Sequence, residues 1–211
     1  LVVSEYQGLN MDNNVRGDST LEKLATLRPV FDRRSGQGTL TAGNSTPLTD
    51  GASAVLLASE EWARKRNLPI LAWFSYSKQW AVDYVGGKEG LLMAPAYAVP
   101  AMLRDANLTL QDFDFYEIHE AFAAQVLCTL RAWESEDYCR NRLGLDAPMG
   151  RIDPAKINPN GSSLAAGHPF AATGARIVAT AAKELKQRGG GRCLVSICTA
   201  GGMGVVAILE R

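Results

Sequence analysis

Cys193-Leu194-Val195-Ser196-Ile197-Cys198-Thr199-Ala200-Gly201-Gly202-Met203-Gly204-Val205-Val206-Ala207-Ile208-Leu209 is the stretch that decides the fold. Two β-rich apolar runs, 193–198 and 205–209, flank a turn dense in glycine. So short a joint makes the two strands antiparallel, because a parallel pair needs a crossover of a dozen residues or more. Just upstream, Ile177, Val178, Ala181, Ala182 and Leu185 form one helical stripe within 171–188. Lys183, Glu184, Lys186 and Arg188 lie mostly elsewhere, and Gly189-Gly190-Gly191 stops the helix. Further upstream the rhythm repeats. Phe122, Val126, Leu130 and Trp133 predict a helix from Glu120 onward, after a strand over Phe113–Ile118. Val99, Met102, Leu103 and Ala106 predict a helix over Ala98–Ala106, after a strand over Ile70–Tyr76. Strands alternating with helices and closed by a hairpin give an α/β layered fold, a mixed β-sheet with helices on both faces.

Asn67-Leu68-Pro69 breaks the chain and sets a domain boundary near residue 69. Before it, Glu60–Arg66 is charged and reads as an exposed helix. Residues 52–59 form a short apolar run whose period does not separate helix from strand. Residues 39–51 are rich in turn formers. The opening 1–38 is polar, with turns at Asn13-Asn14 and Gly17-Asp18-Ser19. Ser19-Thr20-Leu21-Glu22 has capping-box spacing, Ser19 as the N-cap of a short helix that ends before Pro29. The chain divides as 1–38, 39–68 and 69–211.

Lys+Arg and Asp+Glu balance at 22 each, which leaves no basic footprint for nucleic acid and no pull toward anionic lipid. The four cysteines fit no disulfide framework and read as reduced thiols of an intracellular protein. No run approaches the length of a membrane span, and Leu1–Asn10 lacks a signal layout. A start at Leu1 rather than Met points to a fragment boundary or a processed chain.

Three residues could carry chemistry. His119 sits at a strand-to-helix junction, a place where α/β folds present working side chains; it reads equally as a polar helix cap. His168 is held between Gly167 and Pro169, which suits a general base, though a single loop histidine needs no role. Cys198 precedes Thr199-Ala200-Gly201-Gly202, where backbone N–H groups can cluster around an anion; alone it reads as an inert core cysteine. Spacings of 49 and 30 residues between the three match no local metal-ligand motif, so no metal is expected and a metal protein or unrelated hydrolase is disfavoured.

Their order is more specific than any one of them. His-Glu-Ala-Phe-Ala-Ala-Gln at 119–125, Asn-x-Asn-Gly at 158–161, Gly-His-Pro at 167–169 and Cys-Thr-Ala-Gly-Gly-Met-Gly at 198–204 together resemble the thiolase family. Thr41–Gly51 resembles that family's coenzyme A-side loop. Within the family the resemblance is to the 3-ketoacyl-CoA thiolase subunit of β-oxidation multienzyme complexes, the trifunctional enzyme β-subunit type. His119 stands where most thiolases carry Asn, and Phe170-Ala171-Ala172-Thr173-Gly174, the 12–32 stretch and the insert before Asn158 follow that subgroup.

The resemblance implies roles. His168 would activate a nucleophilic cysteine and contribute to an oxyanion hole. Cys198 would act as acid and base toward the coenzyme A thiol or the α-carbon. His119 would take the water-orienting place in the first oxyanion hole, the backbone N–H of Ala200 would belong to the second, and Thr46 would contact the pantetheine arm. It also implies thiolytic cleavage of 3-ketoacyl-CoA, with coenzyme A as substrate and no separate cofactor. The nucleophile belongs to the family's N-terminal half, and none of Cys128, Cys139 or Cys193 sits in such a motif. The 211 residues are therefore expected to be inactive alone, with 1–38 the tail of the thiolase loop region, 39–68 the last part of the N-terminal domain and 69–211 the C-terminal domain. Expected partners are the missing N-terminal thiolase half, a β-oxidation multienzyme subunit and further copies in a homo-oligomer. The expected compartment is the bacterial cytoplasm, ahead of the mitochondrion. The alternative is a non-catalytic acyl-CoA-binding or assembly module on the same fold.

Overall fold

A computed structural model describes residues 16–211 together with Gly8, Asp12 and Asn14. The reading of Leu1–Asn10 therefore lies outside the described residues except at Gly8, and so does Asn13. Four strands form one mixed sheet: β1 (Trp73–Ala81), β2 (Phe115–Ile118), β3 (Arg192–Thr199) and β4 (Met203–Glu210), in the order β1-β4-β3-β2. β3 and β4 pair antiparallel from Thr199↔Met203 to Arg192↔Glu210, the hairpin that the glycine turn requires. β2 runs parallel to β3, with Ile118 opposite Ser196.

Alternation along the strands separates two cores. Tyr116, Ile118, Leu194, Val206 and Ile208 face α3 (Ala94–Ala106) and α4 (Ala123–Glu134), where Met102 and Trp133 are buried against them. Phe115, Cys193, Val195, Ala207 and Leu209 face α7 (Thr173–Arg188), which contributes Ile177, Ala181 and Leu185 at four-residue spacing. One helical layer thus covers each face of the sheet, as side chains of period two require. α7 stops at Gly189, φ 83°, where Gly190 N–H donates to the Leu185 carbonyl.

Several boundaries differ from the sequence reading. β1 starts later and runs further than Ile70–Tyr76, because β4 offers it partners as far as Met203. Its Lys78-Gln79-Trp80 segment lacks an apolar signal since it is a sheet edge. α3 begins a turn before Ala98, with Pro95 in its first turn, where a missing N–H costs nothing. α4 starts at Ala123 rather than Glu120, because the chain bends at Ala121 and Phe122 is extended, bridged to Ser45. Two short helices, α5 (Glu136–Asn141) and α6 (Ser163–Ala166), and a 3₁₀ turn at Pro154–Lys156 lie in segments to which the sequence reading assigned no element. In the first part of the chain, α1 (Leu21–Ala25) is capped by Thr20, whose hydroxyl accepts from Lys23 N–H, not by Ser19, which donates to the Arg16 carbonyl instead. α2 (Glu60–Lys65) is exposed as read, and 52–59 is neither helix nor strand.

Candidate active site

The site forms beyond the C-terminal ends of the parallel strands β2 and β3, where neighbouring connections diverge. His119 follows β2 directly, and its N–H donates to the Ser196 carbonyl of β3 at 2.9 Å. Cys198 lies two residues further along β3, 5% exposed, with its thiol against the backbone N–H of Ala121.

Asn158 fixes this strand end. Its side-chain carbonyl accepts from Ile118 N–H at 2.7 Å and its amide donates to the Ile118 carbonyl at 2.9 Å, which extends the ladder where no strand continues. The same amide donates to Glu120 Oε1 at 2.7 Å, and Leu164 N–H donates to Glu120 Oε2 at 3.0 Å. Asn158 has φ 47°, a left-handed conformation that asparagine tolerates. The pair therefore ties α6 to β2.

After α6 the chain turns at Gly167, φ 89°, where a Cβ would fall 2.6 Å from Thr49 Cγ2. His168 N–H then donates to the Pro47 carbonyl at 2.9 Å. The His168 ring meets the His119 ring with centroids 4.3 Å apart, and the Phe170 ring lies 4.9 Å from it. His168 Nδ1 lies 2.6 Å from Thr173 Oγ1, and His119 Nδ1 lies 2.8 Å from Ser163 Oγ. Arg176 of α7 donates to the same Ser163 oxygen at 2.9 Å.

Burial sets the protonation states. It pushes His119 down to about 3, with His168 and Arg176 adding to the effect, so the ring is neutral near pH 7. His168 is lowered by burial and then by Arg176. Burial pushes the Cys198 thiol up to about 12, only partly offset by nearby N–H groups, so Cys198 stores a proton rather than a charge. Burial also raises Glu117 of β2 to about 7, against the pull of Arg176, and neither of its oxygens has a direct hydrogen-bond partner.

Of the residues singled out in the sequence, His119 and His168 are in contact, and Cys198 lies near the end of β3, two residues beyond the Ser196 carbonyl that His119 N–H reaches. Thr46 bridges both site loops: its N–H donates to the Ala121 carbonyl at 3.0 Å and its hydroxyl to the Ser163 carbonyl at 2.7 Å. That hydroxyl keeps only acceptor capacity for a ligand. Ala200 is at the exposed tip of the β3–β4 turn, followed by Gly201 and Gly202 at positive φ. Sequence reasoning assigned no role to Glu120, Asn158, Ser163, Thr173 or Arg176. Asn158 and Glu120 lay inside quoted motifs; Arg176, a cation beside buried Ile177, was the remaining signal.

The chain is similar to known proteins over nearly its whole length. The family described as thiolase, C-terminal domain, matches residues 71–211, and thiolase, N-terminal domain, matches 3–61. A 3-ketoacyl-CoA thiolase of Pectobacterium atrosepticum is 48% identical over 204 residues, which are 97% of this chain and 46% of that protein. The human mitochondrial 3-ketoacyl-CoA thiolase in complex with CoA superposes with a TM-score of 0.76 at 35% identity, over 96% of this chain and 45% of that one. The dimeric peroxisomal thiolase of Saccharomyces cerevisiae gives 0.74 at 38% identity, over 96% and 45%. The chain spans about half the length of the curated relatives it matches. It belongs to the thiolase family and corresponds to the C-terminal half of that family's chains.

Proposed function

We propose that this chain is the acid–base half of a 3-ketoacyl-CoA thiolase, cleaving 3-ketoacyl-CoA with coenzyme A into acetyl-CoA and a shortened acyl-CoA. The observation that carries the reading is the contact of the His119 and His168 rings at the end of β2, with the buried Cys198 two residues beyond Ser196 on the neighbouring strand. Carbon–carbon cleavage of a 3-ketoacyl thioester needs a nucleophile, a donor set for the developing oxyanion and an acid for the enolate carbon. His168 takes the proton of the nucleophilic cysteine supplied by the N-terminal half. That thiolate adds to the 3-keto carbon, and the α–β bond breaks toward the thioester, leaving an acyl-enzyme and an enolate. Cys198 gives its proton to the enolate carbon, which releases acetyl-CoA. The Cys198 thiolate, a strong base when buried, takes the proton of the incoming coenzyme A thiol, whose sulfur then displaces the acyl group from the enzyme cysteine. His119 and the backbone N–H of Ala200 hold charge on the two oxygens, and Thr46 lies beside the pantetheine path.

On this reading the 211 residues are inactive alone and work when joined to the N-terminal half, in a homo-oligomer and beside a β-oxidation partner subunit. Bacterial relatives and four free cysteines support a cytoplasmic setting. The test is to express the chain with and without the upstream half and to follow loss of 3-ketoacyl-CoA. Turnover only with the upstream half is expected. Coenzyme A binding that is complete without that half, and no turnover with it, would instead mean a non-catalytic acyl-CoA-binding module.

A further inference from the structure

Ser163 is fully buried, and its hydroxyl has two side-chain partners, Arg176 Nη2 at 2.9 Å and His119 Nδ1 at 2.8 Å. A guanidinium has no lone pair to offer, so Arg176 can only donate to Ser163. Among the described residues the single hydroxyl hydrogen of Ser163 has no acceptor other than His119 Nδ1, and a buried hydroxyl left without one would be costly, so Ser163 donates to that nitrogen. A ring nitrogen that accepts carries no proton, and a neutral imidazole keeps its one proton on the other nitrogen. We infer that Arg176 and Ser163 hold His119 as the Nε2–H tautomer, a fixed hydrogen-bond donor toward the space it shares with His168, and that both are positioning residues for acyl transfer. The catalytic part of this inference rests on the thiolase reading above.

The neighbouring histidine is arranged the other way. Thr173 Oγ1 lies 2.6 Å from His168 Nδ1 and 3.1 Å from the Pro169 carbonyl, to which a hydroxyl can only donate. Thr173 therefore accepts from His168 Nδ1–H and leaves a lone pair on Nε2. Two rings 4.3 Å apart are thus held in opposite states, one a donor and one a base. Arg176 has a second effect, because a half-buried cation beyond Ser163 opposes a charge on His119. An asparagine at position 119 would present its amide donor without help. A histidine there offers the same donor only in one of its two tautomers, and the Arg176–Ser163 pair selects it.

The test uses the full-length enzyme labelled with 15N-histidine, with the His119 signal assigned by its loss in His119→Asn. Near pH 7 the His119 Nδ1 signal should be that of an unprotonated nitrogen and Nε2 that of a protonated one; Ser163→Ala should turn this into a mixture of tautomers. In thiolysis, Ser163→Ala should lower kcat between about ten- and a hundredfold with little change in KM, less than the roughly hundred- to thousandfold expected for loss of an oxyanion donor outright. In a His119→Asn background the same Ser163→Ala change should move kcat less than about twofold, since asparagine has no tautomer to select. Arg176→Lys, which keeps a cationic donor, should retain more turnover than Arg176→Met. An unprotonated Nε2 in the wild type, or an equal Ser163→Ala loss in both backgrounds, overturns the inference. A His119→Ala enzyme of normal turnover that shows the expected Nε2–H signal before mutation would sink the catalytic role while leaving the tautomer assignment intact, which tells the two failures apart.

Discussion

Residues 52–58 and 193–198 are two apolar runs of similar length with opposite fates. Leu194, Val195 and Ser196 are buried, between β2 on one side and β4 on the other. In the first run Leu56 and Leu57 are 72% and 68% exposed and no ladder forms. The difference lies in the neighbours: an apolar run becomes a strand when flanking strands satisfy its N–H and C=O groups and helices cover its side chains. Yet the loop just before 52–58 is firmly docked. Thr46 and Pro47 hydrogen-bond to Ala121, Ser163 and His168, so the first region touches the second at the site rather than through a shared core.

The largest effect expected from this contrast is at the site. If His168 is the general base of the proposed reaction, His168→Ala in the full-length protein should lower turnover by about 10²–10⁴-fold. Turnover within a few fold of wild type would remove His168 from the mechanism. Next comes the sheet. Trp133→Ala, which empties the α4 side of the core, should cost about 3–5 kcal/mol in urea denaturation. Leu57→Ala in the 211-residue chain should fall within about 0.5 kcal/mol of wild type. The same Leu57→Ala change in the full-length protein should cost more, because an added half would cover that side chain. Equal and small effects in both would show that 52–58 stays uncovered.

A third measurement separates the regions by pH. Burial holds the Glu117 carboxyl protonated up to about 7, against an ordinary 4.5. The folded state thus prefers the protonated form, and stability falls as pH rises from about 4.5 to about 7, then levels off. The loss should be on the order of 3 kcal/mol. Glu117→Gln should flatten that slope, matching wild type at acid pH and exceeding it above neutrality. A Glu117→Gln protein that is less stable than wild type at pH 8 would mean the ionised carboxylate is a net gain to Arg176.

The layered α/β class and the antiparallel closing hairpin were legible from periodicity and strand spacing, and His119 and His168 were picked out by motif order, though their ring contact was not. What was not legible shares one physical origin. The end of β2 is completed by the side chain of Asn158, forty residues away in sequence, and not by backbone. Ser163 and Arg176 reach His119 from α6 and α7, and no local spacing encodes a hydrogen bond between separate elements. The extent of β1 was hidden for a related reason. An edge strand exposed along most of its length carries little apolar alternation, and its length is set by β4.

The smallest effect tests a one-residue misreading in the exposed first region. Ser19 has the sequence spacing of an N-cap, whereas Thr20 has the geometry: φ −133°, ψ 160°, with its hydroxyl 3.2 Å from Lys23 N–H. An exposed cap on a five-residue helix contributes locally, so the measurement is amide exchange at Lys23 rather than global unfolding. Thr20→Ala should speed that exchange by the equivalent of about 1 kcal/mol, within the range for loss of a capping side chain. Ser19→Ala removes a hydroxyl that donates to the Arg16 carbonyl and accepts from no helix amide, so Lys23 should exchange as before. The reverse order of the two effects would return the cap to Ser19.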